Sequence, residues 1–353
     1  MRYLKNAWYV AAWSNELVAG TVLARRLLDE PVALFRRVDA SPAALRDTCP
    51  HRFAPLSAGT LADGQITCRY HGLRFDGAGN CTHNPHGPAA RSLAVQAWPV
   101  HEAHRAIWIW MGDPARANPA AIPPLHYLAD CPQTAFSCGQ LLSGEGHYEL
   151  FVDNILDLSH TDYLHPDTLG GGATTCAKQQ VMESDDYLEV TWESPNTAAS
   201  PLVRSLVGVL PEHTDIFQTV RWYAPSILRL TSAVVRAGGP HEEATANLNA
   251  HIFTPETPTT THYFFAASRN YRTDDAQLNE RLAATRAHIF ATEDKPMIGM
   301  VQQRMGTAAF WDMKPRLMPI NEGSVRARRR LEKLIEEEHP VSPPSAGPGS
   351  PGS

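Results

Sequence analysis

Three features that would narrow the function at once are missing from the sequence: an excess of positive charge, a long apolar run and a dinucleotide-binding fingerprint. The net charge is −6, which gives no reason to expect nucleic acid or an anionic membrane as a partner. No apolar run approaches the roughly 18–20 residues that cross a bilayer. The N-terminal stretch MRYLKNAWYVAAWSNE is not followed by a small-residue cleavage site. We therefore expect a cytoplasmic protein without a nucleic-acid or membrane partner.

Nor does a Gly-x-Gly-x-x-Gly motif follow any strand-like segment. The stretches GAGN (77–80) and LGGG (169–172) lack its spacing and its strand-to-helix context. We do not expect a nicotinamide cofactor to bind this chain directly.

Apolar periodicity divides the chain into two parts. Short segments such as NAWYVAAW and AIWIWMG predict a β-rich domain at 1–115, and the Pro- and Ala-rich stretch 112–124 indicates a linker. Apolar residues near helical spacing at 147–165, followed by strand-like segments from YLEVTWE to THYFFAASRNY, predict a helix-plus-antiparallel-sheet domain at 116–338. The Pro-, Gly- and Ser-rich end, 339–353, predicts a disordered tail. The fold class is α+β.

Two further helices are expected near the C-terminus. The segment 274–304 contains Pro296, which predicts a kink or interruption just after Asp294. The last helix contains Arg326, Arg328, Arg329 and Arg330. This cluster is either a docking site for an acidic redox partner or, as we expect, a solvated face whose charge the glutamates that follow balance.

Two short Cys/His motifs, called hooks below, are the strongest indication of a metal centre. CPHR places Cys49 beside His51, and CRYHG places Cys68 beside His71. Four such ligands usually indicate structural zinc. Each hook, however, offers one sulfur and one nitrogen, whereas a Rieske [2Fe–2S] centre needs two cysteines on one iron and two histidines on the other. The spacing favours a Rieske cluster over zinc.

A second group of donors lies in DNILDLSHTDYLH. His160 and His165 are five residues apart, so they point the same way only if the helix loosens or ends near Tyr163. A mononuclear Fe(II) site needs two histidines and one carboxylate on one face of an octahedron, with the other positions open. From spacing alone the carboxylate is either Glu293 or Asp294, in FATEDKPMIGM.

The motifs CPHR, CRYHGLRFD and DNILDLSHTDYLH resemble those of the Rieske non-haem iron oxygenases. The resemblance runs from NAWYVAA to the last helix and is closest to the vanillate and dicamba O-demethylase group. It implies a homotrimeric terminal oxygenase with a helix-grip catalytic domain and Asp294 as the carboxylate ligand of the mononuclear iron. It also implies O2 as co-substrate and electrons from a separate NAD(P)H reductase of the flavin- and ferredoxin-containing type.

This resemblance also implies a substrate class, a small aromatic acid. The predicted reaction is O-demethylation of a methoxybenzoate to a phenol and formaldehyde. Hydroxylation of a methyl group or of the ring of another aromatic carboxylate or sulfonate is the alternative. His251 corresponds to a substrate-contacting histidine of the dicamba type, and Arg229 to a polar residue of its binding site.

Two further residues are candidates for catalysis. Asp157 lies three residues before His160 and is expected to orient that ring. The resemblance implies that it also bridges His160 to His71 of a neighbouring subunit, which would provide an electron path. Asn154, one turn earlier, either reaches the outer shell of the iron or is a surface amide.

Two rival interpretations remain open from the sequence. One is a Rieske electron carrier, or a zinc-binding module, with a catalytically silent second domain. The other keeps the oxygenase but changes the reaction to cis-dihydroxylation or N-demethylation, because pocket shape decides where oxygen enters.

Overall fold

The computed structural model describes residues 2–128 and 134–339, except for the side chains of Ser137 and Cys138. Of the predicted tail, 339–353, all but His339 lies outside these residues. None of the helices in the described ranges combines the length and the apolar character that crossing a membrane requires.

The first part of the chain is built of short strands. In chain order they are β1 (Trp8–Trp13), β2 (Leu23–Leu27), β3 (Glu30–Arg36), β4 (Pro42–Arg46), β5 (Thr60–Ala62), β6 (Gln65–Thr67), β7 (Arg74–Phe75), β8 (Cys81–His83), β9 (Ala97–Trp98), β10 (Val100–Ala103) and β11 (Ala106–Trp110). They form three antiparallel sheets, in the orders β1-β11-β10, β2-β3-β4-β9 and β5-β6-β7-β8. The third sheet holds the hooks, because one hook precedes β5 and the other joins β6 to β7.

The second part of the chain alternates helices with longer strands. Its elements are β12 (Ala135–Glu145), α1 (Tyr148–Leu156), α2 (Thr161–Leu164), β13 (Lys178–Glu183), β14 (Leu188–Thr197), α3 (Pro201–Val207), β15 (Thr214–Tyr223), β16 (Ile227–Arg236), β17 (Thr245–Thr257), β18 (Thr260–Arg269), α4 (Ala276–Ile289), α5 (Lys295–Met305) and α6 (Glu322–Glu338). The strands form one seven-stranded antiparallel sheet in the order β12-β18-β17-β16-β15-β14-β13.

Each face of this sheet is covered by a different part of the chain. On one face, α1 and α6 pack against buried side chains such as Val190, Trp192 and Phe253. On the other face, tryptophans of β1 and β11 pack against Ile252, Phe264 and their neighbours. The two parts of the chain therefore share apolar cores. The predicted order, an all-β region followed by helices and an antiparallel sheet, is confirmed, whereas the boundaries 1–115 and 116–338 stay predictions.

A π-helical turn, Phe290–Asp294, lies between α4 and α5. Pro296 is the second residue of α5, which follows this turn without a break, so its missing N–H removes one hydrogen bond from the helix. The sequence predicted a kink or an interruption just after Asp294. The helix instead continues, and the distortion is a wider turn that ends at Asp294.

The arginine cluster of α6 forms a solvated face only in part: Arg326 and Arg329 reach solvent, whereas Arg328 and Arg330, contrary to prediction, contact other parts of the chain. Arg328 is buried, and its guanidinium contacts the carboxylates of Glu149 and Asp153 on α1. Arg330 donates to the backbone oxygens of Ser184 and Asp185. At the end of the helix, the Glu338 carboxylate accepts the backbone N–H groups of Lys5 and Asn6 at 2.7 and 2.5 Å. This helix therefore joins the two parts of the chain.

Candidate active site

Both cysteine–histidine hooks are closed by the same pair of backbone hydrogen bonds. Cys49 N–H donates to Ala54 O at 2.8 Å, and Phe53 N–H returns to Cys49 O at 2.9 Å. In the second hook, Cys68 N–H donates to Leu73 O at 2.7 Å and Gly72 N–H to Cys68 O at 3.0 Å. Phe53 and Gly72 occupy the same place in the two turns, and both have positive φ (59° and 76°). Glycine adopts this conformation at little cost.

The two hooks lie side by side, with cysteine next to cysteine and histidine next to histidine. Cys49 and Cys68 are both buried, and their thiols are within hydrogen-bonding contact. The rings of His51 and His71 lie 4.4 Å apart, centroid to centroid, on the more exposed side. Within the described ranges, no three of these four donors converge within 4.8 Å, as a single zinc ion would require. The pairing fits a cluster in which two thiolates hold one iron and two imidazoles the other.

The second group of donors is positioned by a break in the helix after α1. Asp157 ends α1, its side chain accepts Ser159 N–H at 3.0 Å, and a short 3₁₀ turn follows at Leu158–His160. The four residues of α2 then lead to His165, at the C-terminal end of that helix. The helix thus ends just beyond Tyr163, as required for two histidines five residues apart to face one point.

His160, His165 and Asp294 meet at that point. Their donor atoms all lie within 4.8 Å of one another. Asp294 Oδ1 is 3.6 Å from His160 Nε2 and 3.2 Å from His165 Nε2. Two imidazoles and one carboxylate in this arrangement are the donor set of a mononuclear Fe(II) site with open positions.

Charges around the triad favour a bound cation. Burial alone would raise the pKa of the Asp294 carboxyl, but hydrogen bonds and charge from His160 and His165 hold it far below its usual range. Burial lowers the pKa of His165, yet Asp294 and Glu293 outweigh that effect and raise it. An ionised carboxylate thus lies beside two basic ring nitrogens, the arrangement that a divalent metal completes.

In both histidines Nδ1, the ring nitrogen that does not face the triad, is hydrogen-bonded to a residue outside the triad. His165 Nδ1 is 2.5 Å from Glu293 Oε2, which also accepts the Thr168 hydroxyl at 3.0 Å. His160 Nδ1 is 2.6 Å from the backbone oxygen of Asp157. Since both acceptors require an N–H at Nδ1, Nε2 is in each ring the nitrogen that would give up its proton and offer its lone pair to a bound metal. The sequence raised Glu293 as a possible metal ligand but did not predict this supporting contact.

The predicted role of the Asp157 side chain needs correction. Its carboxylate does not contact His160: Oδ1 accepts the Ser159 hydroxyl at 2.6 Å, and Oδ2 accepts Asn321 Nδ2 at 3.0 Å. Asp157 orients His160 through its backbone carbonyl instead. Local geometry explains the difference, because a residue that caps the following turn directs its carboxylate at that turn's N–H groups.

Asn154 lies inside the site and not on a helix surface. Its Nδ2 donates to Asp294 Oδ1 at 3.1 Å and is 3.3 Å from His160 Nε2. It therefore belongs to the outer shell of the candidate metal position, the first of the two roles considered from the sequence.

The triad opens into a cavity of about 250 Å³ between the sheet and the helices. Most lining side chains are apolar. Among them are Phe253, Tyr263 and Phe265 from the sheet, Leu282 from α4 and Phe290 from the π-helical turn. A largely apolar cavity with a few polar groups is typical of a small-molecule site.

His251 projects into this cavity from β17. Its side chain is 7% exposed, and Nδ1 is 2.7 Å from the Tyr263 hydroxyl. Burial, helped by the nearby Arg286 charge, lowers the pKa of His251 to about 3, so the ring is neutral. Its Nε2 is buried without a hydrogen-bond partner among the described residues. A buried polar atom of this kind facing a cavity is suited to bind a ligand.

Arg229 does not line the cavity, contrary to prediction. On β16 it is opposite Ala250, whereas its neighbour Leu230 is opposite Asn249 and lines the cavity. Since side chains alternate between the faces of a strand, Arg229 points to the opposite face, near Tyr127. Among the described residues, Arg286 on α4 does line the cavity. The sequence gave no sign of this, because an arginine on a helix usually faces solvent.

Comparisons with known proteins agree with this geometry. Residues 7–99 match the Rieske [2Fe-2S] domain, and residues 145–337 match the vanillate O-demethylase oxygenase C-terminal domain. The chain belongs to the Rieske oxygenases of the vanillate O-demethylase type.

Relatives of this family match over almost the whole chain. The dicamba O-demethylase oxygenase component of Stenotrophomonas maltophilia is 38% identical, over 96% of this chain and 99% of its own length. A chloroacetanilide N-alkylformylase oxygenase component of Rhizorhabdus wittichii is 37% identical, over 95% and 97%. The structure of dicamba monooxygenase bound to 3,6-dichlorosalicylic acid superimposes with a TM-score of 0.91 at 37% identity, covering 97% of this chain and all of that one. The present Rieske oxygenase is accordingly an enzyme, the oxygenase component of a multicomponent system.

Proposed function

We propose that this Rieske oxygenase O-demethylates a methoxybenzoate, using O2 and electrons from a separate NAD(P)H reductase. The observation that carries the proposal is the convergence of His160, His165 and Asp294 within 4.8 Å at the wall of an apolar cavity. Relatives named as dicamba and vanillate O-demethylase components support the reaction type.

Specific residues would hold each iron centre. Cys49, Cys68, His51 and His71 would bind the [2Fe–2S] cluster, and His160, His165 and Asp294 the mononuclear Fe(II). When bound, the two centres supply electron transfer and O2 activation. In the overall reaction one atom of O2 is inserted into a C–H bond of the methoxy group, and the other is reduced to water. Two electrons and two protons are consumed. The resulting hemiacetal collapses to a phenol and formaldehyde.

This chain's own residues would orient the reactants. Glu293 and the Asp157 carbonyl keep Nε2 of both histidines directed at the metal position. Asn154 holds Asp294 Oδ1 by its amide N–H at 3.1 Å. If the Tyr263 hydroxyl donates to His251 Nδ1, Nε2 carries the proton and can donate to a substrate oxygen inside the cavity.

The assembly and partners form the second part of the proposal. We infer that electrons come from a flavin- and ferredoxin-containing reductase, because relatives are named as the oxygenase component or subunit of an O-demethylase. The resemblance of the sequence motifs to this family further implies a cytoplasmic homotrimer. Neighbouring subunits would bring His71 of one chain near Asp157 of the next. Analytical ultracentrifugation tests this arrangement, with three times the chain mass of 38.8 kDa as the expected result.

A second candidate reaction has specific support. Relatives at 37% and 34% identity are named as a chloroacetanilide N-alkylformylase component and a toluene-4-sulfonate monooxygenase subunit. Oxidation of an N-alkyl or ring-methyl carbon is therefore the alternative, with the same donors at the metal and a different substrate in the cavity.

Single-turnover oxidation tests the proposal. The chemically reduced, iron-loaded protein is mixed with O2 and with one methoxybenzoate at a time, and formaldehyde and phenol are assayed. We expect the two products in equal amounts from at least one acid, and none from His160→Ala with an unchanged Rieske absorption spectrum. A benzylic alcohol from a methylbenzoate or a toluenesulfonate assayed in the same way, without formaldehyde from any methoxybenzoate, would favour the alternative. A reduced cluster without any oxidised product would contradict the proposal.

A further inference from the structure

Strand β17 places a row of side chains along the cavity. Since successive side chains of a strand point to opposite faces of its sheet, every second residue of β17 faces the same way. Asn247, Asn249, His251 and Phe253 line the cavity, whereas the residues between them, such as Ile252, pack in the apolar core on the other face. Asn249 therefore directs its side chain at the cavity, one position before His251 in this row.

The side-chain amide of Asn249 has a bonded nitrogen and an unbonded oxygen. Asn249 is only 6% exposed, and its Nδ2 donates to the backbone oxygen of Leu230 at 3.3 Å. A carbonyl oxygen only accepts hydrogen bonds, so this contact fixes the nitrogen on the Leu230 side and leaves Oδ1 as an acceptor. Within the described ranges Oδ1 is buried and has no hydrogen-bond partner. A buried acceptor in this state costs free energy until a donor reaches it.

The nearest side chains across the sheet offer no donor to this oxygen. Asn249 is directly opposite Leu230 on β16 and Ala267 on β18, and both of these side chains are hydrocarbon. The Tyr127 hydroxyl donates at 3.3 Å to the backbone oxygen of Asn249 and not to its side chain. A molecule bound in the cavity can supply the donor, whereas a molecule without one leaves Oδ1 desolvated and unpaired.

Asn249 lies within reach of a ring that is bound at the metal. His251, two residues further along β17, is at the metal end of the cavity, because its partner Tyr263 contacts Phe290 of the π-helical turn, with ring centroids 4.8 Å apart. Two residues of an antiparallel strand span about 7 Å. A substituted benzene ring that places its methoxy carbon at the metal can therefore direct another ring substituent at Asn249.

We propose that Asn249 determines substrate specificity: its Oδ1 accepts a hydrogen bond from the substrate, and the enzyme selects methoxybenzoates with a hydroxyl or amino group on the ring. The inference rests on the proposed function and deepens it, since it names a further substituent of the substrate. A hydroxyl or amino group donates a hydrogen bond to Oδ1, whereas a halogen or a second methoxy group does not. A site built to bind such a donor rejects the analogue that lacks it, because the buried acceptor then stays unpaired.

Binding measurements on the anaerobic holoprotein test the proposal. Isothermal titration calorimetry gives Kd for 4-hydroxy-3-methoxybenzoate, 3-hydroxy-5-methoxybenzoate and 5-hydroxy-2-methoxybenzoate, which differ in the position of the hydroxyl relative to the methoxy group. Each is compared with the acid in which fluorine replaces the hydroxyl. We expect at least one hydroxy acid to bind about 10- to 100-fold more tightly than its fluoro counterpart, the effect of leaving a buried acceptor unpaired. The corresponding amino compound, which keeps an N–H donor, should also bind more tightly than the fluoro acid.

Substitution of Asn249 separates its effect from that of the rest of the cavity. In Asn249→Leu the preference for the hydroxy acid should fall below about threefold, because no acceptor is left to pair. The fluoro acid should bind this variant at least as tightly as the unaltered protein, which shows that the cavity is intact. Asn249→Ser, which keeps an oxygen acceptor, should retain part of the preference. The control Asn15→Leu, at an exposed position, should leave every Kd unchanged.

Several results would overturn the inference. They are equal binding of every hydroxy acid and its fluoro counterpart, an amino compound that binds as weakly as the fluoro acid, an unchanged preference in Asn249→Leu, and no binding of any of these acids to the unaltered protein. Formaldehyde release is measured separately. Demethylation without a preference for the hydroxy acid would keep the proposed function and remove only the role of Asn249, whereas a preference that depends on Asn249 without demethylation would do the reverse.

Discussion

Glu293 and His165 form a 2.5 Å contact between Oε2 and Nδ1, while Asp294, the next residue, places Oδ1 3.2 Å from the other nitrogen of the same ring. Consecutive residues of an α-helix point about 100° apart, so two neighbouring carboxylates do not normally reach one imidazole. The π-helical turn Phe290–Asp294 widens the helix at this place. Such turns recur at functional sites, and here one turn supplies both a candidate metal ligand and the group that orients another ligand.

Removing this support is expected to weaken iron binding. Glu293→Ala should lower the affinity of the mononuclear site about 10- to 100-fold, because His165 loses the acceptor that fixes its ring. Glu293→Gln should reduce the iron affinity less than Glu293→Ala does, since an amide oxygen can still accept the hydrogen bond from Nδ1–H of His165. The measurement is iron in excess of acid-labile sulfide after dialysis against a chelator. Glu280→Gln, an exposed residue of α4, is the control. Equal iron retention in Glu293→Ala and Glu280→Gln would refute the orienting role.

Arg328 is expected to matter for stability. Its removal leaves the partly buried carboxylates of Glu149 and Asp153 without their cation, and desolvation already raises the pKa of both carboxyls. Arg328→Ala should lower the free energy of unfolding by about 3–5 kcal/mol, measured by urea denaturation. The exposed Arg329→Ala should change it by less than about 0.5 kcal/mol. Adding Glu149→Gln and Asp153→Asn to Arg328→Ala should recover part of the loss, and no recovery would show that packing, not charge, is responsible.

Acid should destabilise the fold through two buried histidines. Burial, with Arg328 nearby, lowers the pKa of His147 to about 3, and burial with Arg286 nearby does the same for His251. Above pH 6.5 these rings are neutral in both states, so they add no pH dependence. Below pH 6.5 both histidines become protonated in the unfolded chain but stay neutral in the folded protein until the pH approaches 3. Stability should therefore fall by up to about 1.4 kcal/mol per pH unit and histidine as the pH decreases from about 6.5 to 3.

Replacement of one histidine separates this effect from the titration of carboxylates. His147→Gln should make the dependence of unfolding free energy on pH shallower by about 1.4 kcal/mol per unit between pH 5.5 and 4. His101→Gln, at an exposed position, serves as the control. A His147→Gln slope identical to that of the unaltered protein would mean that His147 is protonated in the fold.

Electron transfer between subunits is testable with mixed oligomers. Chains carrying Cys68→Ser would lack the cluster, and chains carrying His160→Ala would lack the mononuclear site. Each variant alone should give no product. Refolded or co-expressed mixtures should recover turnover if the cluster of one chain serves the iron of its neighbour, as the trimer proposal requires. An inactive mixture that contains verified hetero-oligomers would place the electron path within one chain.

Local motifs were predictable from the sequence because their donors lie on single turns. Cys49 and His51 are brought together by two backbone hydrogen bonds within six residues, and the second hook repeats them. The helix end after Tyr163 likewise followed from the spacing of His160 and His165. Strand order within the seven-stranded sheet was not predictable in detail, although its antiparallel character was.

Residues whose role depends on distant partners were predicted poorly. Arg328 finds its carboxylates 179 and 175 residues earlier in the chain, so a cluster of arginines on a helix gave no sign of burial. Arg229 lies in a strand that is apolar on both faces, and alternation alone does not show which face meets a cavity. Arg286 became recognisable only once α4 was packed over the sheet.

The contact of Glu338 with the backbone of Lys5 and Asn6 has a consequence for biosynthesis. Lys5 and Asn6 are more than 330 positions away from Glu338 in the sequence, and their backbone N–H groups gain these hydrogen bonds only when the two ends of this span meet. During translation the early strands leave the ribosome long before the helix that closes them. Lys5 and Asn6 therefore remain without these two hydrogen bonds until Glu338 has been synthesised and has left the ribosome.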